Sequence, residues 1–219
     1  QMEKAGLLLF NTYESTLRAK NKIKTMQILD HYGIPMPKTV VIRRLEDLQQ
    51  AVKLVCGFPL IVKQPVGSFG AGVTIVESMR ALQSFLLWNQ PMYLLQQYVK
   101  YSKGKDIRVF VVNGKVVGAM MRSAKKGEFR SNIELGGVGR PVEITEEEIS
   151  IALRSVQALD LKYAGVDIMR GTDGPVVLEV NSNPGFKELE SATGINIAAA
   201  IVEFAVEYAE RHHQFLTEI

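Results

Sequence analysis

Residues 164–170 read Ala-Gly-Val-Asp-Ile-Met-Arg, and residues 176–185 read Val-Val-Leu-Glu-Val-Asn-Ser-Asn-Pro-Gly. Both runs are rich in β-branched residues, and Gly171-Thr172-Asp173-Gly174 lies between them, which predicts two antiparallel strands, 163–169 and 176–180, joined by a tight turn. Side chains alternate between the faces of a strand, so Glu179 and Asn181 share one face. A three-residue loop centred on Asp173 sets Asp167 directly opposite Glu179 and gathers two carboxylates and an amide. A two-residue loop pairs Asp167 with Val180 and disperses the cluster. Like charges placed opposite one another are destabilising, and burying them among Val, Ile and Leu costs more unless a cation compensates. Hard oxygen donors of this kind suit Mg2+ or Mn2+. The alternative is an amphipathic edge hairpin whose acids face water. Pro184-Gly185 then breaks the strand and shapes a turn beside the acids.

Upstream, residues 106–112 and 115–121 form two strand-like runs around Asn113-Gly114, the dipeptide that a type I′ hairpin turn favours. Asp106 and Arg108 share a face of the first run; on an exposed edge such a pair contributes little. The polar segment 123–140 reads as a long loop. It holds Arg130 and Asn132, which suit anionic oxygens, and the densest basic stretch, 122–130, which on composition alone is a solvated loop. Thr145 and Glu148 have capping-box spacing ahead of a helix over 149–159, and a closing amphipathic helix is expected over 195–208.

In the first half, helices are expected over 21–32, 45–55 and 79–88, and strands over 39–42, 59–63, 73–76 and 93–99. Lys63 ends a strand and is followed by glycines at 67, 70 and 72. Such a loop brings backbone N–H groups close to a phosphate, although its spacing is neither the P-loop nor the dinucleotide fingerprint, and a flexible hairpin turn would carry the same glycines. A hinge is expected near Ser102-Lys103-Gly104. Both halves read as α+β with antiparallel strands rather than a βαβ series.

The 219 residues carry a net charge of +3 with no basic block, so direct nucleic-acid binding is not expected. No apolar run reaches the ~20 residues of a membrane span. The single cysteine, Cys56, excludes an internal disulfide and, among Val52, Leu54, Val55 and Phe58, reads as a buried thiol; a cytoplasmic protein is expected. His31, His212 and His213 read as surface residues, and no nucleophile–base pair emerges, which suits phosphate chemistry run by positioning and metal ions.

Taken together the motifs resemble the ATP-grasp superfamily, most closely its RimK-type α-L-glutamate ligases. The resemblance runs over Asn21-Lys22, Lys63 with 67–72, Gln97-Tyr98, Asp106-Ile107-Arg108, the segment 126–132, Ala164-Gly165-Val166-Asp167, the segment 179–185 and Thr193-Gly194-Ile195. It implies an α+β ATP-grasp fold whose two lobes hold ATP between antiparallel sheets: a small lobe at 21–99, a large lobe at 100–219, and residues 1–20 linking to a further N-terminal domain that family members carry. It implies that Lys22 and Lys63 contact ATP phosphates, that Gly67, Ser68, Phe69, Gly70 and Gly72 close over them, and that Gln97 and Tyr98 meet adenine through the backbone. By the same resemblance Asp106 binds ribose. Arg108, Arg130 and Asn132 attend the transferred phosphoryl group or a substrate carboxylate, and Asp167, Glu179 and Asn181 hold two Mg2+ or Mn2+ ions. The implied partners are ATP, an amino acid (glutamate above all) and a carboxylate acceptor such as a protein C-terminus, with homo-oligomerisation left open. Gln97 departs from the acid that relatives usually carry. An amino-acid-carrier ligase of lysine biosynthesis and a noncatalytic ATP-binding module of the same fold are the competing readings.

Overall fold

The computed structural model describes residues 2–65, 72–86 and 92–217. Two antiparallel sheets organise them. The first has the order β1-β4-β2-β3, from β1 (Thr39–Ile42), β2 (Leu60–Lys63), β3 (Val73–Val76) and β4 (Tyr93–Gln97). The second has the order β7-β6-β5-β8-β9, from β5 (Lys105–Val112), β6 (Lys115–Ser123), β7 (Val138–Pro141), β8 (Tyr163–Gly171) and β9 (Gly174–Asn181). The helices are α1 (Tyr13–Lys20), α2 (Lys22–His31), α3 (Leu48–Leu54), α4 (Met79–Leu86), α5 (Glu146–Ala158), α6 (Lys187–Thr193) and α7 (Ile197–Thr217). Among the described residues no single helix is long and apolar enough to cross a membrane.

Strand alternation divides each sheet into a core face and a cleft face. In the first sheet Leu60, Val62, Tyr93 and Leu95 pack with Leu48, Val52 and Leu82 of α3 and α4. Ile61, Lys63 and Gln96 take the other face and line a cleft. In the second sheet Ile107, Val109, Val166, Ile168, Val177 and Val180 bury against Ile151, Val156 and Leu159 on and just after α5. Ala19 of α1, Leu29 of α2 and Ile34 join that same core, so packing sides α2 with the second sheet although chain order groups it with the first. The opposite face of the second sheet is closed at one end by Phe110, Val112 and Met120 packed on Leu189, Ile197 and Phe204. At its other end that face is the floor of the cleft.

The acid-bearing hairpin reaches the expected pairing by another route. Its turn is two residues long, with Gly171 opposite Gly174, and Val180 pairs with Val166 rather than Asp167. A bulge beside Asp167 leaves Leu178 as the extra residue and brings Glu179 opposite Asp167. Without it, Leu178 would face Asp167 and Glu179 would turn toward the apolar core. The Asn113-Gly114 hairpin forms as expected, with φ of 49° and 70°, and the capping box at Thr145 and Glu148 is present, starting α5 at Glu146.

Several elements differ from the sequence reading. The helix expected over 45–55 opens with a 3-10 turn, Leu45–Asp47, before α3. The long loop over 123–140 contains a 3-10 turn at Ile133–Leu135 and edge strand β7. The stretch treated as a linker contains α1, capped by the Thr12 side chain. Cys56 is exposed, because the chain turns there through a φ of 67° and leaves burial to Val55.

Phe110 is fully buried where the second sheet meets α6 and α7. Phe110→Ala is expected to lower stability by about 3–5 kcal/mol, measured by urea unfolding.

Candidate active site

The cleft between the sheets has an empty volume of about 1450 Å3, open to solvent. Its floor is a row of charged side chains on adjacent strands of the second sheet. The strand register places Arg122 of β6 opposite Asp106 of β5, Arg108 of β5 opposite Asp167 of β8, and Asp167 opposite Glu179 of β9. Because neighbours across an antiparallel ladder share a face, these residues meet by register alone.

Arg122 is the centre of the row. Its Nε donates to Asp106 Oδ1 at 2.6 Å and its Nη2 to Asp106 Oδ2 at 2.9 Å. The same Nη2 lies 2.8 Å from Asp167 Oδ2. Arg122 is 4% exposed. Burial works against its charge, but Asp167 and Asp106 outweigh burial and hold the guanidinium protonated beyond its ordinary range. The solvated loop expected around residues 122–130 is therefore corrected at Arg122. Composition could not reveal it, and the Asn113-Gly114 turn alone would set Asp106 opposite Met121; the bulge between Phe110 and Val111 brings Arg122 there instead.

Arg108 makes a fork with Asp167, Nη2 to Oδ2 at 2.9 Å and Nε to Oδ1. Burial opposes ionisation of Asp167, but Arg108 and Arg122 hold its carboxyl below the usual range. Burial raises Asp106; Arg122 offsets part of that rise and Asp167 adds to it. Asp106, expected to bind ribose, accepts from both nitrogens of Arg122 and from the Ser131 hydroxyl.

The first sheet and α2 bring two lysines. Lys63 ends β2 and is 8% exposed. Its pKa falls from 10.5 to about 8, first through burial and further through Lys22, with Glu179 and Asp167 opposing. Lys22 Nζ lies 3.4 Å from Glu179 Oε1. Asn21 caps α2 by accepting from the N–H groups of Ile23 and Lys24, and the Lys22 N–H donates to Pro65 O at 3.2 Å, so Lys22 is fixed beside the end of β2.

Asn181 continues the site face of β9, and its Nδ2 donates to Asp167 Oδ2 at 3.4 Å. From sequence, the paired acids require a compensating cation. Here Arg108, Arg122 and Lys22 supply the compensating charge. Among the described residues no group of three His, Cys, Asp or Glu gathers in a way that could hold a metal ion. What remains is a mixed set of hard oxygen donors, Asp167, Glu179 and Asn181, of the kind that suits Mg2+ or Mn2+.

Arg130 and Asn132 also line the cleft. Glu128 accepts from Arg130 Nε at 3.0 Å and Nη2 at 2.8 Å, which with two backbone N–H bonds holds the Glu128 carboxyl at about 2. A Cβ on Gly137 would lie 2.5 Å from Ser131 O, so the turn holding Ser131 and Asn132 needs glycine there. A Cβ on Gly165 would lie 2.7 Å from Pro184 and 2.9 Å from Arg108; this position, beside Asp167 on the site face, was not singled out from sequence.

Gln97 and Tyr98 line the cleft. The Gln97 N–H donates to Lys38 O at 2.8 Å, and its side-chain oxygen accepts from the Lys38 N–H at 3.3 Å. That second bond gives the amide a backbone partner at a position where relatives usually carry an acid. Gly72 has a φ of +71° directly before β3. Gly67, Ser68, Phe69 and Gly70 lie outside the described residues.

Comparison with known proteins places the fold. Residues 19–205 match the profile of the RimK-like ATP-grasp domain. A probable alpha-L-glutamate ligase of Methanococcoides burtonii is 40% identical over 207 residues, which is 93% of this chain and 69% of that protein. D-alanine–D-alanine ligase from Bacillus anthracis, complexed with ATP, superposes with a TM-score of 0.76 at 25% identity over 96% of this chain and 74% of its own. The ATP-grasp ligase PsnB complexed with a minimal precursor has a TM-score of 0.73 at 22% identity, covering 94% of this chain and 65% of its own. The chain thus spans roughly two thirds to three quarters of the length of these proteins.

Two outcomes follow from the electrostatics. Arg122→Ala leaves two buried carboxylates without their shared partner and is expected to cost about 3–5 kcal/mol in urea unfolding. Adding Asp106→Asn should recover part of that loss. For Lys63, the unfolded chain holds a proton between pH 8 and 10.5 that the folded protein has released. Stability therefore rises with pH across that window. The thermal midpoint of the ligand-free protein should climb there relative to Lys63→Met, and parallel curves would show that Lys63 is not held near 8.

Proposed function

The chain belongs to the family of RimK-like ATP-grasp domains and is an ATP-dependent ligase; from that premise we propose that it is an ADP-forming carboxylate–amine ligase adding L-glutamate to an acceptor through an acyl phosphate. The observation that carries this reading is the facing of Lys22 and Lys63 against the Asp167–Glu179 row across one open cleft. Glutamate as the amine rests on relatives named for it. The acceptor belongs to an open class of carboxylates, protein C-termini included.

In this proposal the γ-phosphoryl group of ATP passes to the acceptor carboxylate. The amine of glutamate then attacks the acyl carbon, phosphate leaves, and an amide and ADP remain. Lys22 and Lys63 bind the phosphates, and segment 67–72 covers them. Gln97 and Tyr98 meet the adenine. Arg108 and Arg130, with Asn132, meet the charge that develops on the transferred group; fixed donors in a cleft of low dielectric are worth more than the same groups in water. We assign Asp106 to holding Arg122, since both of its oxygens are already engaged. Asp167, Glu179 and Asn181 would hold Mg2+ or Mn2+, which when bound neutralises phosphate charge. No side-chain nucleophile is required, in keeping with the absence of a nucleophile–base pair from the motifs.

Incubation with Mg-ATP, glutamate and a panel of protein and small-molecule acceptors should release ADP and add glutamyl mass increments to an acceptor, read by mass spectrometry. Glu179→Ala should lower ADP release by roughly 100-fold or more. Full turnover in Glu179→Ala would sink the metal-dependent part of this reading.

A further inference from the structure

Asn11 lies ahead of α1, outside the cleft, and its side-chain amide uses all of its hydrogen-bonding capacity. Nδ2 donates to Tyr163 O and to Ser182 O, each at 2.8 Å. Oδ1 accepts from the Lys162 N–H at 2.6 Å and the Tyr163 N–H at 3.3 Å. One side chain therefore ties the start of β8 to the residue that follows Asn181. Ser182 is buried, so loss of Asn11 would leave a carbonyl of a buried residue without this donor.

The loop after Ser182 carries Asn183, Pro184 and Gly185 into the cleft lining. Its other tethers are weaker or purely steric. Tyr163 Oη donates to Asn183 Oδ1 at 3.3 Å in an exposed position. Pro184 packs over Gly165, where an added Cβ would lie 2.7 Å from the proline ring. The Ser182 carbonyl held by Asn11 is the anchor between Asn181 on one side and the Pro184–Gly165 packing on the other. Supporting bonds of this kind fix a donor's orientation, and their loss typically lowers metal affinity about 10- to 100-fold.

We propose that Asn11 is a positioning residue that sets the loop at 182–185, and through it Asn181, for binding of the metal–nucleotide complex. This rests on the ligase reading given above. Asn11→Asp separates the two tasks of the amide: the carboxylate still accepts from the Lys162 and Tyr163 N–H groups but cannot donate to Tyr163 O or Ser182 O. Asn11→Ala removes both.

The test pairs Mn2+-ADP titration calorimetry with hydrogen exchange by mass spectrometry on wild type, Asn11→Asp and Asn11→Ala. In Asn11→Asp, Mn2+-ADP affinity should fall about tenfold while ADP binding in the presence of EDTA stays within about twofold. Exchange should quicken over 182–186 and stay unchanged over the β5–β6 hairpin. An Asn11→Asp protein with wild-type Mn2+-ADP affinity and wild-type exchange at 182–186 overturns the proposal. So does unfolding of both variants, which would make Asn11 a residue of global stability alone. If wild type binds no Mn2+-ADP, the ligase reading fails, and the exchange pattern still decides whether Asn11 tethers the loop.

Discussion

One guanidinium, that of Arg122, lies between two buried carboxylates, and the floor of the cleft depends on it. Asp106 and Asp167 are each about 5% exposed or less. Two such acids on neighbouring strands would repel strongly in a medium of low dielectric. Arg122 forks onto one and touches the other, Arg108 forks onto the second, and the row alternates in sign across the sheet. Removing Arg122 takes the fork from Asp106 and one of two arginines from Asp167, so the loss of that one member is felt along the row.

That row exists because of how the strands register. The apolar face of the second sheet is closed by α1, α2 and α5, so every strand must keep its polar residues on the other face. The two-residue turn after β8 would by itself break the pattern, sending Glu179 inward. The bulge at Leu178 restores it within one residue. The core and the site thus constrain each other: slipping β9 by one position would bury Glu179 and expose Val180 at the same time.

Much of this was legible in the chain. The alternation around Asp167 and Glu179, the Asn-Gly hairpin, the capping box and the lysine ending β2 are local signals, and local signals survive folding. The readings that changed depend on partners distant in sequence. Arg122 reads as part of a basic loop until Asp167, 45 residues later in the numbering, comes beside it. Asn11 reads as linker until Tyr163 and Ser182 arrive, separated from it by 152 and 171 positions. Cys56 reads as core until the left-handed turn at that residue points it outward. Around the acids, sequence shows the charge but not the arginines that the fold sets beside it.

The cleft divides its labour between strands and loops, and the division bears on specificity. Asp106, Arg108, Arg122, Asp167 and Glu179 stand on strands whose backbones are locked by ladders on both sides or by the hairpin itself. Phe129, Arg130, Asn132, Asn183 and Pro184 reach the same cleft from the segments 124–137 and 182–186, which have few ladder bonds. Phosphoryl transfer demands charges fixed to within fractions of an ångström, and strands provide that. Choice among acceptors demands surfaces that differ from one relative to another, and loops can change without disturbing the core. Loop positions are nonetheless tied to the strands: Ser131 to Asp106, Asn183 to Tyr163, and Ser182 through Asn11 to Tyr163. Those ties hold the loop part of the cleft at a fixed distance from its strand part; under the function we propose, an acceptor held by the loops would be presented to the charges in one orientation.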